Sequence, residues 1–337
     1  MDDFASPAAK KLIEIVVASA AKSIMGIAEL AIDRISGRFI PVKPSHMMEM
    51  MNKIKDDVNK IFIGHSSIEI ILRKYPILEN EGDLTLSDKE LEKRIIFKNL
   101  IDIEKRPNET HAIVSDDSFF YGDSPIIKYR TVDYAGIRAI RSLGGKPKIL
   151  SAGGFFVCLD QKKIAFHQRS KFVDTYKDCL HIFGGNFMKM GHVADSSILH
   201  TLLREFEEEA RVSLRVSRGG DNPIPFLFAN EVTGFVQFVA PPFNIDAADF
   251  DAMSGDGGDG GITEGGVRKI NFSELSAILQ DVNKWVPSGL MHVIVWLAIG
   301  TPVIHKHRIY RAIPEDQSIE IFKQVVVSAE RGNFANY

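Results

Sequence analysis

Six consecutive residues, Arg204-Glu205-Phe206-Glu207-Glu208-Glu209, carry the densest reactive chemistry in this 337-residue chain. A helix turns about 100° per residue, so Glu205, Glu208 and Glu209 fall within about 100° of arc on one face. Like charges at these spacings repel by about 0.2–0.5 kcal/mol per pair. Three such carboxylates suggest a cation that neutralises them, and hard oxygen ligands suit Mg²⁺ or Mn²⁺. The plain alternative is a solvated acidic helix face, and the segment alone leaves both open. Leu199, Leu202, Leu203 and Phe206 form the neighbouring face, which would anchor the helix to a sheet.

Other reactive groupings are weaker. Gly255-Asp256-Gly257-Gly258-Asp259-Gly260 satisfies the literal G-x-G-x-x-G pattern but follows an Asp-rich stretch rather than an apolar strand. Gly144-Gly145-Lys146-Pro147 resembles a phosphate loop, yet Ile140 and Pro147 break its spacing. Gly64-His65-Ser66-Ser67-Ile68 lacks the closing glycine of a nucleophile elbow. His305 and His307 share one face of a strand without an evident third ligand for zinc. His181, His192 and His200 surround the acidic helix and read as loop histidines or as contacts for substrate phosphates.

The elements that must position these groups divide near residue 108. Lys10–Ile35 reads as a long amphipathic helix, and Ser45–Ile63 as a second, with Met47, Met48, Met51, Ile54 and Val58 at spacings of three and four. Ser87 and Glu90 form a capping box that opens a helix to about Ile103, expected to bury Leu91, Ile95 and Leu100. Residues 1–108 are therefore expected to be an all-α domain serving oligomerisation, partner docking or regulation. From His111 the pattern becomes β-rich. Ala112–Val114 and Ile126–Tyr129 read as strands, Val132–Leu143 as a helix, and Ser151–Leu159 with Lys163–His167 as a hairpin. A helix ends at Arg211. Strands at Phe226–Val232 and Gly234–Val239, a helix near Leu290–Ile299 and a strand near Val303–Tyr310 complete residues 109–337. The acidic, Gly-rich stretch Asp246–Gly266 reads as a mobile loop.

On these residues, the second part resembles the Nudix hydrolase family. Its signature is G-x5-E-x7-R-E-U-x-E-E-x-G-U, with U a bulky apolar residue, and Arg204, Glu205, Phe206, Glu208, Glu209 and Val212 fit the second half in register. Leu180–Phe187 is similar to the Gly-Gly turn that opens the motif, and Ile164–Ser170 to the strand before it, with Arg169 in the usual basic position. Glu264, followed by Gly265-Gly266 and Val267–Leu275, resembles the family's late glutamate, strand and short helix. Three departures stand out. Gly185 and Arg204 are 19 positions apart, about five more than in the signature. The first signature glutamate has no counterpart, with Asp195 the only nearby acid. Arg211 replaces the closing glycine, a position suited to a left-handed helix cap.

The resemblance implies an α/β fold, a Nudix-like α-β-α sandwich with a mixed sheet, behind the helical domain. It implies a metal-dependent pyrophosphohydrolase that cleaves a nucleoside diphosphate linked to another moiety. Glu205, Glu208 and Glu209 would hold Mg²⁺ or Mn²⁺, Arg204 would orient them, and Glu205 or Glu264 would accept a proton from water. Gly184 and Gly185 would let the backbone approach the substrate beside Arg169. A nucleotide-ligand sensor coupled to the helical domain is the alternative.

Charge and composition bound the partners. Lys and Arg number 41 against 44 Asp and Glu, a net charge of −3, so the footprint of a nucleic-acid binder is missing. The apolar stretch Lys10–Ile35 is interrupted by Glu14, Lys22, Glu29, Asp33 and Arg34, which argues against a membrane span. The two cysteines, Cys158 and Cys179, read as reduced thiols of a cytoplasmic protein. The long N-terminal helix makes a homodimer an expectation.

Overall fold

The structure, a computed structural model, describes residues 60–331 apart from 64–65, 74–75, 105–106, 172, 174–175, 191–192, 215–225, 232–234, 241, 255–264, 299 and 306–307. In chain order come β1 (Lys60–Ile63), β2 (Ser66–Arg73), β3 (Ile77–Asp83), α1 (Asp88–Glu104), β4 (Thr110–Val114), α2 (Ser118–Tyr121), β5 (Ile126–Asp133) and α3 (Tyr134–Ser142). Next are β6 (Ile149–Gly154), β7 (Phe156–Cys158), β8 (Lys163–Arg169), β9 (Leu180–His181), β10 (Phe183–Asn186), β11 (Met188–Met190), β12 (Val193–Ala194) and α4 (Ile198–Ala210). The remainder is β13 (Phe226–Glu231), β14 (Phe235–Val239), β15 (Phe243–Asn244), α5 (Ala247–Ala252), β16 (Gly265–Asn271), α6 (Leu275–Gln280), α7 (Pro287–Ala298), β17 (Pro302–His305), β18 (Arg308–Arg311) and α8 (Glu315–Arg331).

These elements make a mixed α/β fold with two mixed sheets. The first runs β1-β2-β13-β14-β6-β4, with β5 and then β3 continuing from β4; β10 pairs with β6, and β11 with β4 and β12. The second runs β16-β8-β7-β15-β17-β18, with β9 beside β8. Parallel pairs (β14 with β6, β15 with β7) sit among antiparallel ones. Because successive strand residues face opposite sides, β7 and β8 separate two cores. Phe155, Val157, Ile164 and Phe166 face a core with Trp285, α6, α7 and α8; Phe156, Cys158 and Ala165 face a core with Phe183 and with Leu202 and Phe206 of α4. The second sheet is thus layered between α7 and α4.

Most expected elements after residue 109 are present. The exceptions are part of the stretch Asp246–Gly266, where Ala247–Ala252 is helical with Phe250 buried, and the C-terminal strand, which is a hairpin followed by α8. Before residue 109 the helical expectation needs correction. Lys10–Ile35 and residues 45–59 lie outside the described residues. Lys60–Ile63 is strand rather than helix end, and residues 66–73 and 77–83 are strands as well. Ile68, Ile70 and Ile71 supply the β-branched character that pairing with β13 rewards. The line drawn at 108 crosses continuous structure: β3 pairs in parallel with β5, and Arg94 of α1 donates two hydrogen bonds to Asp133, the N-cap of α3.

Half of the expected capping box is present, with the Glu90 carboxylate accepting from the Ser87 amide at 2.7 Å and from the Ser87 hydroxyl at 2.7 Å. The helix it starts presents a different face from the one expected. Ile101 is buried, Arg94 is held by Asp133, and Arg138 stacks over Phe97 at 4.8 Å, whereas Leu91, Ile95 and Leu100 are exposed. The polar clasp to α3 fixes the helix phase, and one residue of phase is about 100°.

Candidate functional site

The short β10 strand and the helix α4 bring the signature residues together. Ser197 caps α4, its hydroxyl accepting from the His200 amide at 3.1 Å. The helix buries Ile198, Thr201, Leu202, Glu205, Phe206, Glu209 and Ala210. Spacings of three and four drive this stripe, and it takes Glu205 and Glu209 inward while leaving Glu208 with a side chain 54% exposed. At the far end Arg211 has φ 58° and ψ 31°, the left-handed cap conformation. The helix therefore ends with the geometry a signature glycine would give, at the steric cost of a Cβ, about 1–2 kcal/mol.

Arg204 organises the acids. Its Nε and Nη2 donate to the two oxygens of Asp195 at 3.2 and 3.1 Å, and Nη2 also donates to the Asn186 carbonyl. Its Nη1 lies 2.8 Å from Glu205 Oε1 and 2.9 Å from Glu208 Oε2. Burial works against the charged guanidinium, but the Asp195 hydrogen bonds and the Glu205, Asp195 and Glu208 charges outweigh it and raise the pKa. Asp195, itself buried, also accepts from the Met188 amide and the Thr201 hydroxyl, so it ties the loop to the helix.

Glu209 makes a second clasp. One carboxylate oxygen accepts from the Gly184 amide at 2.7 Å, and the other lies 2.9 Å from Nδ1 of His167, which is also buried. The strand alternation that sends Ala165 toward α4 sends His167 the same way. Sequence reasoning did not single out His167; that period-two pattern was the available signal. The two glycines serve the fold rather than an open face. A Cβ on Gly184, where φ is 150°, would meet the Ala152 carbonyl at 2.2 Å, and one on Gly185 would meet Glu205 Oε1 at 2.1 Å.

Of the remaining expected residues, Arg169 ends β8 and is half-buried, its backbone paired with Gly265 and its charge among those that lower the pKa of His181. Burial is the larger cause of that shift, and the His181 Nδ1 accepts from the Ile182 amide. Glu264 and His192 lie outside the described residues, as do 255–260 and 306–307.

Carboxylate oxygens are the hard ligands that a magnesium-like dication takes. Three carboxylates, Asp195, Glu205 and Glu208, share one guanidinium, which leaves negative charge on hard oxygens for a dication to offset. The fit belongs to Glu205 and Glu208. Glu209 differs, since each of its oxygens already meets a protein donor, and among the described residues no three acidic, histidine or cysteine side chains form one coordinating group. The expected three-glutamate convergence is thus divided into a pair around Arg204 and a separate Glu209 clasp. The physical reason is that the carboxylates take different donors, Arg204 for Glu205 and Glu208, and His167 with the Gly184 amide for Glu209.

The architecture is a mixed α/β one, and its acids cluster beside a Gly-Gly strand. Among solved structures, the chain is similar to a bifunctional NMN adenylyltransferase/ADP ribose pyrophosphatase from Francisella tularensis, with TM-score 0.29 and 14% identity over 48% of this chain and 44% of that one. The same enzyme complexed with AMP and a Mn ion gives TM-score 0.29 and 13% identity over the same shares. Less than half of those chains is spanned, and a likeness this slight carries no argument about activity. No family model and no curated protein matches the chain. No helix among the described residues is long and apolar enough to cross a membrane.

Proposed function

We propose that the chain is a Nudix-type pyrophosphohydrolase, dependent on Mg²⁺ or Mn²⁺, that cleaves a nucleoside diphosphate linked to another moiety. The observation that supports this reading most is the Arg204 clamp. Asp195 fixes the guanidinium through two hydrogen bonds, and Glu205 and Glu208 converge on its third nitrogen. In this reading Glu205 and Glu208 hold the cation and Arg204 sets their direction. A cation so held offsets the charge that develops on diphosphate oxygens during cleavage. Glu209 acts on protein rather than metal, holding the Gly184 amide and His167 so that β10 stays against α4. Arg169 supplies a cation for a substrate phosphate, and Glu264 is the proton acceptor the resemblance implies.

The test is a turnover panel with Mg²⁺ and with Mn²⁺, covering ADP-ribose, NAD(H), coenzyme A, nucleotide sugars and dinucleoside polyphosphates. Metal-dependent turnover is expected, lowered about 100-fold or more in Glu205→Gln and in Glu208→Gln, comparable to losing one oriented transition-state contact. Turnover unchanged in both variants rejects the site. A second reading, a nucleotide sensor without hydrolysis, is favoured by the engagement of both Glu209 oxygens. Nucleotide binding measured by calorimetry, with no turnover of any substrate, would select it.

A further inference from the structure

His167 touches two elements, α4 and β16, with one ring. It lies in β8, buried, on the face of the sheet that Ala165 turns toward α4. The Phe183 ring stacks on the imidazole, with centroids 6.0 Å apart and planes 15° from each other, which limits rotation of the ring. Phe183 immediately precedes Gly184, whose amide Glu209 also holds.

The two ring nitrogens face different neighbours. A carboxylate accepts, so Nδ1 carries a proton and donates to Glu209 at 2.9 Å. Nε2 faces Gly265, the first residue of β16. A Cβ built there would meet Nε2 at 2.3 Å and the Gln168 carbonyl at 2.2 Å. Val267 is the ladder partner of His167, and Gly265 shares its face two residues earlier. Only a residue without a side chain lets the strand begin this close to the imidazole. One ring therefore spans from the last turn of α4 to the start of β16. Each end adjoins a residue of the proposed reaction, since Glu208 precedes Glu209 and Glu264 precedes Gly265. A misplacement of about 1 Å between reacting groups costs about 100-fold in rate.

We propose that His167 is a positioning residue that fixes the start of β16 against α4, through Glu209 on one side and Gly265 on the other. Its effect on turnover rests on the hydrolase reading, whereas its effect on β16 does not. Hydrogen exchange on the full chain tests the second. His167→Asn keeps an amide nitrogen near the Nδ1 position and removes the part of the ring that meets Gly265. The Gly184 amide should stay protected in this variant, while amides of Gly265–Asn271 exchange about tenfold faster or more. His167→Leu loses both contacts and should release both segments. Wild-type protection of 265–271 in both variants overturns the proposal. So does faster exchange spread evenly over the whole chain in His167→Asn, the mark of a general loss of stability. In the turnover panel, His167→Asn should lower kcat about tenfold or more, with KM and the half-saturating Mg²⁺ concentration unchanged. An unchanged kcat overturns the positioning role. Release of 265–271 in a protein that cleaves no diphosphate would support the coupling and reject the hydrolase reading.

Discussion

Two buried polar neighbourhoods of this protein follow opposite rules. Beside α4, Asp195, Glu205 and Glu209 are all buried, and Arg204, His167 and backbone amides meet their carboxylates. Within α7, His292 is fully buried and neither ring nitrogen has a hydrogen-bond partner among the described residues; burial pushes its pKa down to about 3. Charge persists in a protein interior only where donors or counter-charges meet it. The α4 neighbourhood therefore keeps ionic character, and the α7 neighbourhood is a neutral core.

Removing a donor or acceptor from the first neighbourhood should have the largest effect. Asp195→Ala leaves the Arg204 guanidinium without its bidentate partner and the Met188 amide and Thr201 hydroxyl without an acceptor. A loss of about 3–5 kcal/mol is expected from urea melts, by analogy with breaking one side of a buried pair. A loss under about 1 kcal/mol, the scale of an exposed pair, would erase the contrast between the two regions.

The buried histidines of both regions should answer to pH. His292, with its pKa near 3, and His111, pushed down to about 4 chiefly by burial and then by Arg141 and Arg204, stay neutral in the fold. In the unfolded chain both take up protons as the pH falls below about 6.5. The sign follows: stability is full above about pH 6.5 and declines as the pH falls toward 4 and then 3, by up to about 1.4 kcal/mol per pH unit for each histidine. Between pH 6.5 and 5 the lowered carboxylates Glu81, Asp116 and Asp133 remain ionised in the fold and contribute little to this slope. His292→Leu should reduce the slope by one histidine's share, measured by urea melts across that range. It should also raise stability at pH 7 by about 1 kcal/mol, since an unpaired buried polar group disappears.

The smallest change tests the end of the acidic helix. Arg211→Gly should raise stability by about 1 kcal/mol, because glycine carries no Cβ penalty at φ 58°. A thermal melt that falls instead would mean that contacts of the Arg211 side chain outweigh its strain.

The legible part of the site was the part governed by short-range period. The spacing of Leu202 and Phe206 with Glu205 placed α4 against a sheet, and the alternation through Ser151–Leu159 and Lys163–His167 gave β7 and β8. Arc alone could not place Glu209 apart from Glu205 and Glu208, since all three lie within about 100° on a helical projection. Their different roles come from their donors, Arg204 for Glu205 and Glu208, and His167 for Glu209. The same limit applies to α1. Its period predicted a helix, but Asp133, 39 residues after Arg94, chose which face turned inward.

Taken alone, the sequence determined the acidic helix, its end at Arg211, the β-rich order after residue 109 and a charge balance without a polycationic excess, because each depends on neighbours within a few residues or on composition. The tertiary structure decided the entry of residues 60–83 into the first sheet, the clamp of Asp195 on Arg204, the Glu209–His167 clasp and the phase of α1. Those outcomes rest on contacts between segments far apart in the chain, where packing and donor supply override local preference.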